Sequence, residues 1–346
     1  MKQTIRSMLF GSAAATLLAT SLASAEALPT TLPTPADNPT TPAKVELGKQ
    51  LFFDPRLSID GTVSCNSCHN VMTNGTDSRA TSAGISGQRG GRSAPTVWNA
   101  AFLSAQFWDG RAATLEEQAK GPPLNPIEMG MPSESAVVER LNRIPGYVEQ
   151  FKAVFGDSNA VSYNNMAKAI AAFERTLITA NSPYDRFLAG DKSAMSEQAQ
   201  RGKKVFDQSG CSACHSGANF AGPTLPIGQG FYQKFPAIDS DYDAKYNLSE
   251  DKGRYEVTKN KDDMNKWRVP SLRNTALTAP YFHNGAVETL GEAVRVMAKT
   301  QLGMEMNDKD VTDMVVFLES LNGEFPEISM PRLPETINHS LVGGMK

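Results

Sequence analysis

Cysteine and histidine are both scarce in this sequence, four of each among 346 residues. The four cysteines fall in two tight pairs and leave none to staple the rest of the chain. Long apolar runs are missing after the N-terminal segment, so no later stretch reaches the roughly 20 apolar residues that a spanning helix needs. An excess of positive charge is missing too. With 34 basic and 37 acidic side chains the net charge is -3, and without Lys2 and Arg6 it is -5, so nothing favours a nucleic-acid partner. Nor is there the sustained apolar-polar alternation of strands; Gly, Pro and Asn punctuate short helical patterns, so the expected fold is mainly α.

What is present begins with Lys2 and Arg6, the apolar run from Met8 to Leu22, and Ala23-Ser24-Ala25. A basic start, a short apolar stretch and a small-x-small end make a secretory signal, cleaved near Ala25, and place the mature chain in the periplasm. Residues 26–44 read as a Pro/Thr-rich leader, extended and without apolar periodicity. Folded structure is expected from Val45, with one domain over 45–180, a linker over 181–195 marked by Pro183, Gly190 and Asp191, and a second domain over 196–325. The tail 326–346 is too short for a domain and is expected to pack on the first. A weak repeat supports the division. Leu47-Gly48-Lys49-Gln50-Leu51-Phe52 leads into the first cysteine pair and Arg201-Gly202-Lys203-Lys204-Val205-Phe206 into the second, while Ile170, Phe173 and Leu177 are echoed by Val315, Phe317 and Leu321.

Both pairs have one form, Cys65-Asn66-Ser67-Cys68-His69 and Cys211-Ser212-Ala213-Cys214-His215. In covalent haem attachment the two thiols bond the porphyrin vinyls and the adjacent histidine is carried under the iron. Disulfides and a Cys₄ zinc site are the competing readings, but neither requires a histidine after both pairs. The sixth ligand then decides between carrier and enzyme. Candidates are His283, His339 and fourteen methionines. Met297 is preferred, because it ends the amphipathic segment Leu290 to Met297 downstream of the second motif; the alternative is that it only packs the core.

The chain resembles the bacterial diheme cytochrome c peroxidases from about Val45 to Gly323. The resemblance is carried by Ser64 to Asn70, Ala94-Pro95-Thr96, Gln106 to Ala112, Gln118 to Pro122, Glu128-Met129, Cys211 to His215 and Leu277 to His283. It implies two cytochrome c-like haem domains in tandem, with a peroxidatic haem on the first and an electron-transfer haem on the second. It also implies a calcium ion between them, a homodimer, and a small cytochrome c or cupredoxin as electron donor. Residue by residue, it makes Cys65, Cys68 and His69 the attachment of the peroxidatic haem, Glu128 its acid-base group and Gln118 a lining residue. Trp108 becomes the aromatic between the haems, Cys211, Cys214, His215 and Met297 hold the second haem, and the Thr278 and Pro280 carbonyls bind calcium.

Two departures stand out. Many relatives cap the peroxidatic iron with a histidine in the loop after the first motif, where this chain has Ile85, and no histidine occurs between His69 and His215. An alkyl group cannot bind iron, so a reaction with peroxide without prior reduction is expected, with Met72 and Met129 as the other conceivable ligands. The family's calcium site tends to use an asparagine where this chain has Ser93. Rival readings are an oxidase that matures a partner protein, whose relatives carry a tyrosine in place of Met297, and a diheme carrier without catalysis.

Overall fold

The structure is a computed structural model describing residues 26–32, 34–156, 158–336 and 340–342. The expected signal segment and His339 lie outside the described residues. Among those residues the chain is mainly helical, with twelve α-helices and one two-stranded ribbon. The first half holds α1 (Pro42–Phe53), α2 (Cys65–Cys68), α3 (Leu115–Leu124), α4 (Glu134–Asn142), α5 (Pro145–Phe155) and α6 (Tyr163–Glu174). The second holds α7 (Pro183–Leu188), α8 (Glu197–Gln208), α9 (Asp241–Tyr246), α10 (Tyr255–Thr258), α11 (Leu290–Leu302) and α12 (Asp308–Glu319). Strands β1 (Tyr232–Lys234) and β2 (Lys266–Arg268) pair antiparallel, with Gln233 opposite Trp267.

Each half is built on one close helix crossing. Gly48 on α1 lies against the Ala169 carbonyl of α6, and Gly202 on α8 lies against the Asp313 carbonyl of α12; a Cβ at either glycine would overlap that oxygen. Small residues let the backbones approach, and the phenylalanines of the repeat then meet, edge to face in the first half and tilted in the second. Phe52 and Phe173 are 5.3 Å apart, and so are Phe206 and Phe317. Such a pair adds about 1 kcal/mol beyond its buried area. The helices start where side chains can accept their free amides. Thr41, Ser162, Ser196 and Asn307 cap α1, α6, α8 and α12 respectively.

Three expected boundaries change. Folded structure begins at Pro42 rather than Val45, because Pro42 suits the first helical turn and Thr41 accepts from Lys44 N. The leader is strapped down at two points. Buried Leu28 donates its amide to Asp185 Oδ1 at 3.0 Å, and buried Asn38 donates to Glu116 Oε1 at 2.7 Å. Residues 181–195 are not a free linker either. Ser182 and Asp185 form a reciprocal cap, Pro183 opens α7, and Tyr184 and Met195 are buried in the second core. The residues that suggested a linker are helix punctuation. Of residues 326–346, Ile328 and Leu341 pack with the first core and the Pro334 carbonyl accepts from Arg56 at 2.9 Å, while Phe325, just before them, packs on Trp98 at 5.0 Å.

Candidate active site

A single helical turn, closed by Ser64 and Ser67 capping each other, presents Cys65 and Cys68 three residues apart on one side. His69 follows with its amide bonded to the Cys65 carbonyl. Its Nδ1 lies 2.9 Å from the Pro95 carbonyl. At the second motif His215 Nδ1 lies 3.1 Å from the Phe220 carbonyl. A carbonyl can only accept, so Nδ1 carries the proton and Nε2 keeps its lone pair for a metal. Burial lowers both imidazole pKa values, keeping the rings neutral as ligands must be.

The competing readings of the cysteines fail on this geometry. All four thiols are unbridged, and no group of three or more metal-binding side chains forms among the described residues. Burial raises all four thiols, Cys211 to about 11. The second motif instead borders a cavity of about 480 Å³ between the halves, lined by Cys211, Cys214, His215, Met297, Met314 and Leu318 among others. Two thiols at its edge, a neutral imidazole with a free Nε2, a thioether and apolar walls suit a covalent haem.

The internal repeat runs further than the sequence suggested, and it exposes how the halves differ. Asn99 and Asn274 share a left-handed conformation, φ 61° and 59°, and each opens a short 3₁₀ turn. Phe107 and Phe282 match at φ 68° and 72°, and Gly110 and Gly285 at 67° and 62°. The bridge between Gln106 and Ala112 is repeated between Tyr281 and Val287. Thr114 then caps α3 as Thr289 caps α11, each through the amide of the glutamate three residues on. In this register Trp108 falls on His283, and Met297 falls on Pro122. The helix that offers a thioether to the second site therefore offers a proline to the first.

Glu128 lies in a tight turn, residues 125–130, close enough to Cys65 and Cys68 for its charge to act on both. Burial raises its pKa, against the nearby Arg111 guanidinium and the Asn125 amide, which donates to Oε1 at 2.8 Å. Gln118 sits half-buried on α3, in the turn before Pro122. Trp108 ties the halves together: its indole donates to the Ser93 carbonyl at 2.8 Å and its carbonyl accepts from Arg268 N at 2.9 Å. Ser93, Thr278 and Pro280 all border the cavity. Three neutral oxygens without a carboxylate make a weak calcium site. Of the other conceivable ligands, Met72 is 45% exposed and Met129 is buried in the first core. Ile85 is also buried in that core rather than free to approach a metal.

Glu174 carries no signal in the sequence, and His283 stands there only as a candidate iron ligand. His283 is buried, stacks on Trp267 at 4.0 Å, and faces no partner at Nε2 among the described residues; burial lowers it to about 4. Glu174, 4% exposed on α6, is raised to about 8 by burial, and its Oε2 has no partner among the described residues. The echo of Phe173 in Phe317 could have found it, because that register sets Glu174 on Leu318, which borders the second cavity.

Residues 42–193 match the family described as di-haem cytochrome c peroxidase, and residues 199–322 match cytochrome c. The cytochrome c551 peroxidase of Pseudomonas aeruginosa is 47% identical over 297 residues, covering 86% of this chain and 83% of the relative. The chain belongs to the di-haem cytochrome c peroxidase family. As a member it is an oxidoreductase acting on hydrogen peroxide and carries two covalently bound haem c groups. The cytochrome c551 peroxidase of Nitrosomonas europaea is 44% identical, covering 88% of this chain and 87% of the relative. The methylamine utilization protein MauG of Methylorubrum extorquens is more distant, at 36% identity over 87% of this chain and 84% of the relative. Among solved structures, a MauG-like protein associated with microbial copper homeostasis superposes with a TM-score of 0.74 at 30% identity, covering 86% of this chain and 95% of that one. No helix among the described residues is long and apolar enough to cross a membrane.

Proposed function

We propose that this di-haem peroxidase reduces hydrogen peroxide at its first motif, with an iron that stands open in the resting state. Electrons enter through the second motif from a small periplasmic cytochrome c or cupredoxin. The bound haems supply one iron that takes peroxide and one that stores an electron. The chain's residues do the rest. Cys65, Cys68 and His69 hold the first haem, and Cys211, Cys214, His215 and Met297 hold the second. The carrying observation is the asymmetry of two equivalent helices, Met297 on α11 against Pro122 on α3, which gives the second site a thioether and leaves the first without one.

Peroxide reduction consumes two electrons and two protons and yields two waters. One oxygen must leave already protonated, so a group beside the open site has to carry a proton from the inner oxygen to the outer one. Glu128 is that group: burial brings its pKa toward the working range, and Asn125 fixes one carboxyl oxygen so that the other can face the site. Gln118 lines the same pocket and Trp108 links the two sites. The oxidase reading lacks its tyrosine at Met297, and the carrier reading lacks a ligand at Pro122. Assembly as a homodimer and a calcium ion held by Ser93, Thr278 and Pro280 remain the family's expectation.

Single-turnover mixing of the fully oxidised protein with peroxide, repeated after one-electron reduction, tests the open site. Rapid reaction of the oxidised form is expected. Reaction only after reduction would overturn the open resting state, and no reaction in either form would return the chain to the carrier reading.

A further inference from the structure

The loop after the first motif does not stand free of the acid. Ala83 bridges Arg89, and between them the Gly84 amide donates to the Gln88 carbonyl at 2.8 Å, closing a compact hairpin around the 3₁₀ turn Ile85–Gly87. This hairpin lies flat on the turn that carries Glu128. Gly84 approaches the Ile127 and Glu128 carbonyls so closely that any Cβ would overlap them. The Ile85 amide donates to the Glu128 carbonyl at 2.9 Å, and the Gln88 side chain reaches the Pro126 carbonyl at 3.4 Å. The Ile85 side chain then points inward, against Gly130 and into the first core. Gly130 is left-handed at φ 69°, and its bare Cα makes the room for that alkyl group. From the other side, Ile59 N donates to the Met129 carbonyl at 2.8 Å, and Asn125 accepts the amides of Glu128, Met129 and Gly130.

We propose that the hairpin 83–89 is a fixed brace for Glu128, with Gly84 and Ile85 as positioning residues that hold its backbone while Asn125 holds its carboxyl. This rests on Glu128 being the acid-base group. The physical logic is that of preorganisation. A carboxyl that must meet both oxygens of a bound peroxide loses rate steeply with small displacements, since a 1 Å error costs on the order of 100-fold. Ile85 supplies both halves of the brace, a main-chain donor and an apolar plug, and the plug keeps the donor in place. A polar ring at this position would have to leave the core, and with it the hydrogen bond to Glu128 would be lost.

The test is a double-mutant cycle on the holoenzyme, read by single-turnover reaction of the oxidised protein with peroxide, with haem content and optical spectra as controls. Ile85→Ala should slow the reaction by about 10- to 100-fold. Ile85→Val, which retains most of the plug and the amide, should stay within about threefold, its lost methylene being the smaller change. Gly84→Ala, which forces the backbones apart without touching the core, should behave as Ile85→Ala does. In a Glu128→Gln background neither change should slow the reaction further, because a brace without its acid has nothing to position. Slowing of the Gln variant by the same factor as the wild type would overturn the brace, and so would wild-type rates in both Ile85→Ala and Gly84→Ala. A Glu128→Gln protein that reacts at the wild-type rate would instead overturn the role of Glu128 itself.

Discussion

Replacing Glu174 by Gln should stabilise the protein, and increasingly so as the pH rises. The carboxyl is 4% exposed, has no partner for Oε2 among the described residues, and is raised by burial from 4.5 to about 8, with Arg175 only partly opposing the shift. In the unfolded chain it ionises at the ordinary value. Between those two values the folded protein holds a proton that the unfolded chain has released, so stability falls as pH rises, by about 1.4 kcal/mol per unit. Above the folded value both states are ionised and the loss is complete. The whole window is therefore worth about 5 kcal/mol, a ceiling that one water reaching Oε2 would lower. Glutamine keeps the shape and cannot ionise. Urea unfolding of the holoprotein at about pH 5, 6.5 and 8 should show the Gln variant gaining at least about 2 kcal/mol on the wild type across the range. A difference that stays constant with pH would refute the reasoning, and a wild type that is the more stable at the alkaline end would mean that Glu174 is ionised and paired. Arg175 would then be the partner, since its Nη1 is buried and also unpaired among the described residues.

Glu128→Gln should cost about 100-fold or more in peroxide turnover with both haems retained. In the wild type the rate should fall as pH drops through the Glu128 pKa, because only the carboxylate can take the inner proton; burial moves that acid limb above the ordinary carboxylate range, and the limb should vanish in the Gln variant. Gly202→Ala should destabilise the second half by about 2 kcal/mol through overpacking at the Asp313 carbonyl, seen as a lower urea midpoint with haem content unchanged.

How much of this was legible beforehand differs from residue to residue. The two motifs, the helices that lead into them and the Phe173 and Phe317 echo could be read directly, because haem attachment dictates its own spacing and a helix crossing needs a glycine and an aromatic at fixed intervals. The preference for Met297 followed from helical amphipathicity. Glu128, Gln118 and Trp108 were legible only through family resemblance, since a lone carboxylate or indole carries no local signal of its role. Ser182-Pro183 and Asp185 look like a loop in the sequence, and only their side chains, closing a cap on α7, make a helix of them. Nothing in the local sequence marks Glu174, because its burial comes from packing.

The covalent chemistry is written in the residues alone: two CxxCH motifs allow two haems whatever the fold around them, and a chain with isoleucine at position 85 cannot cap an iron from there. The tertiary structure alone decided what surrounds that chemistry. Only packing could bury Glu128 and Glu174 enough to raise their pKa values, bring Pro95 and Phe220 carbonyls to the two histidines, set Pro122 in the register of Met297, and lay the Ile85 loop on the acid's own turn. Desolvation and positioning depend on atoms distant along the chain, and such distances exist only after folding.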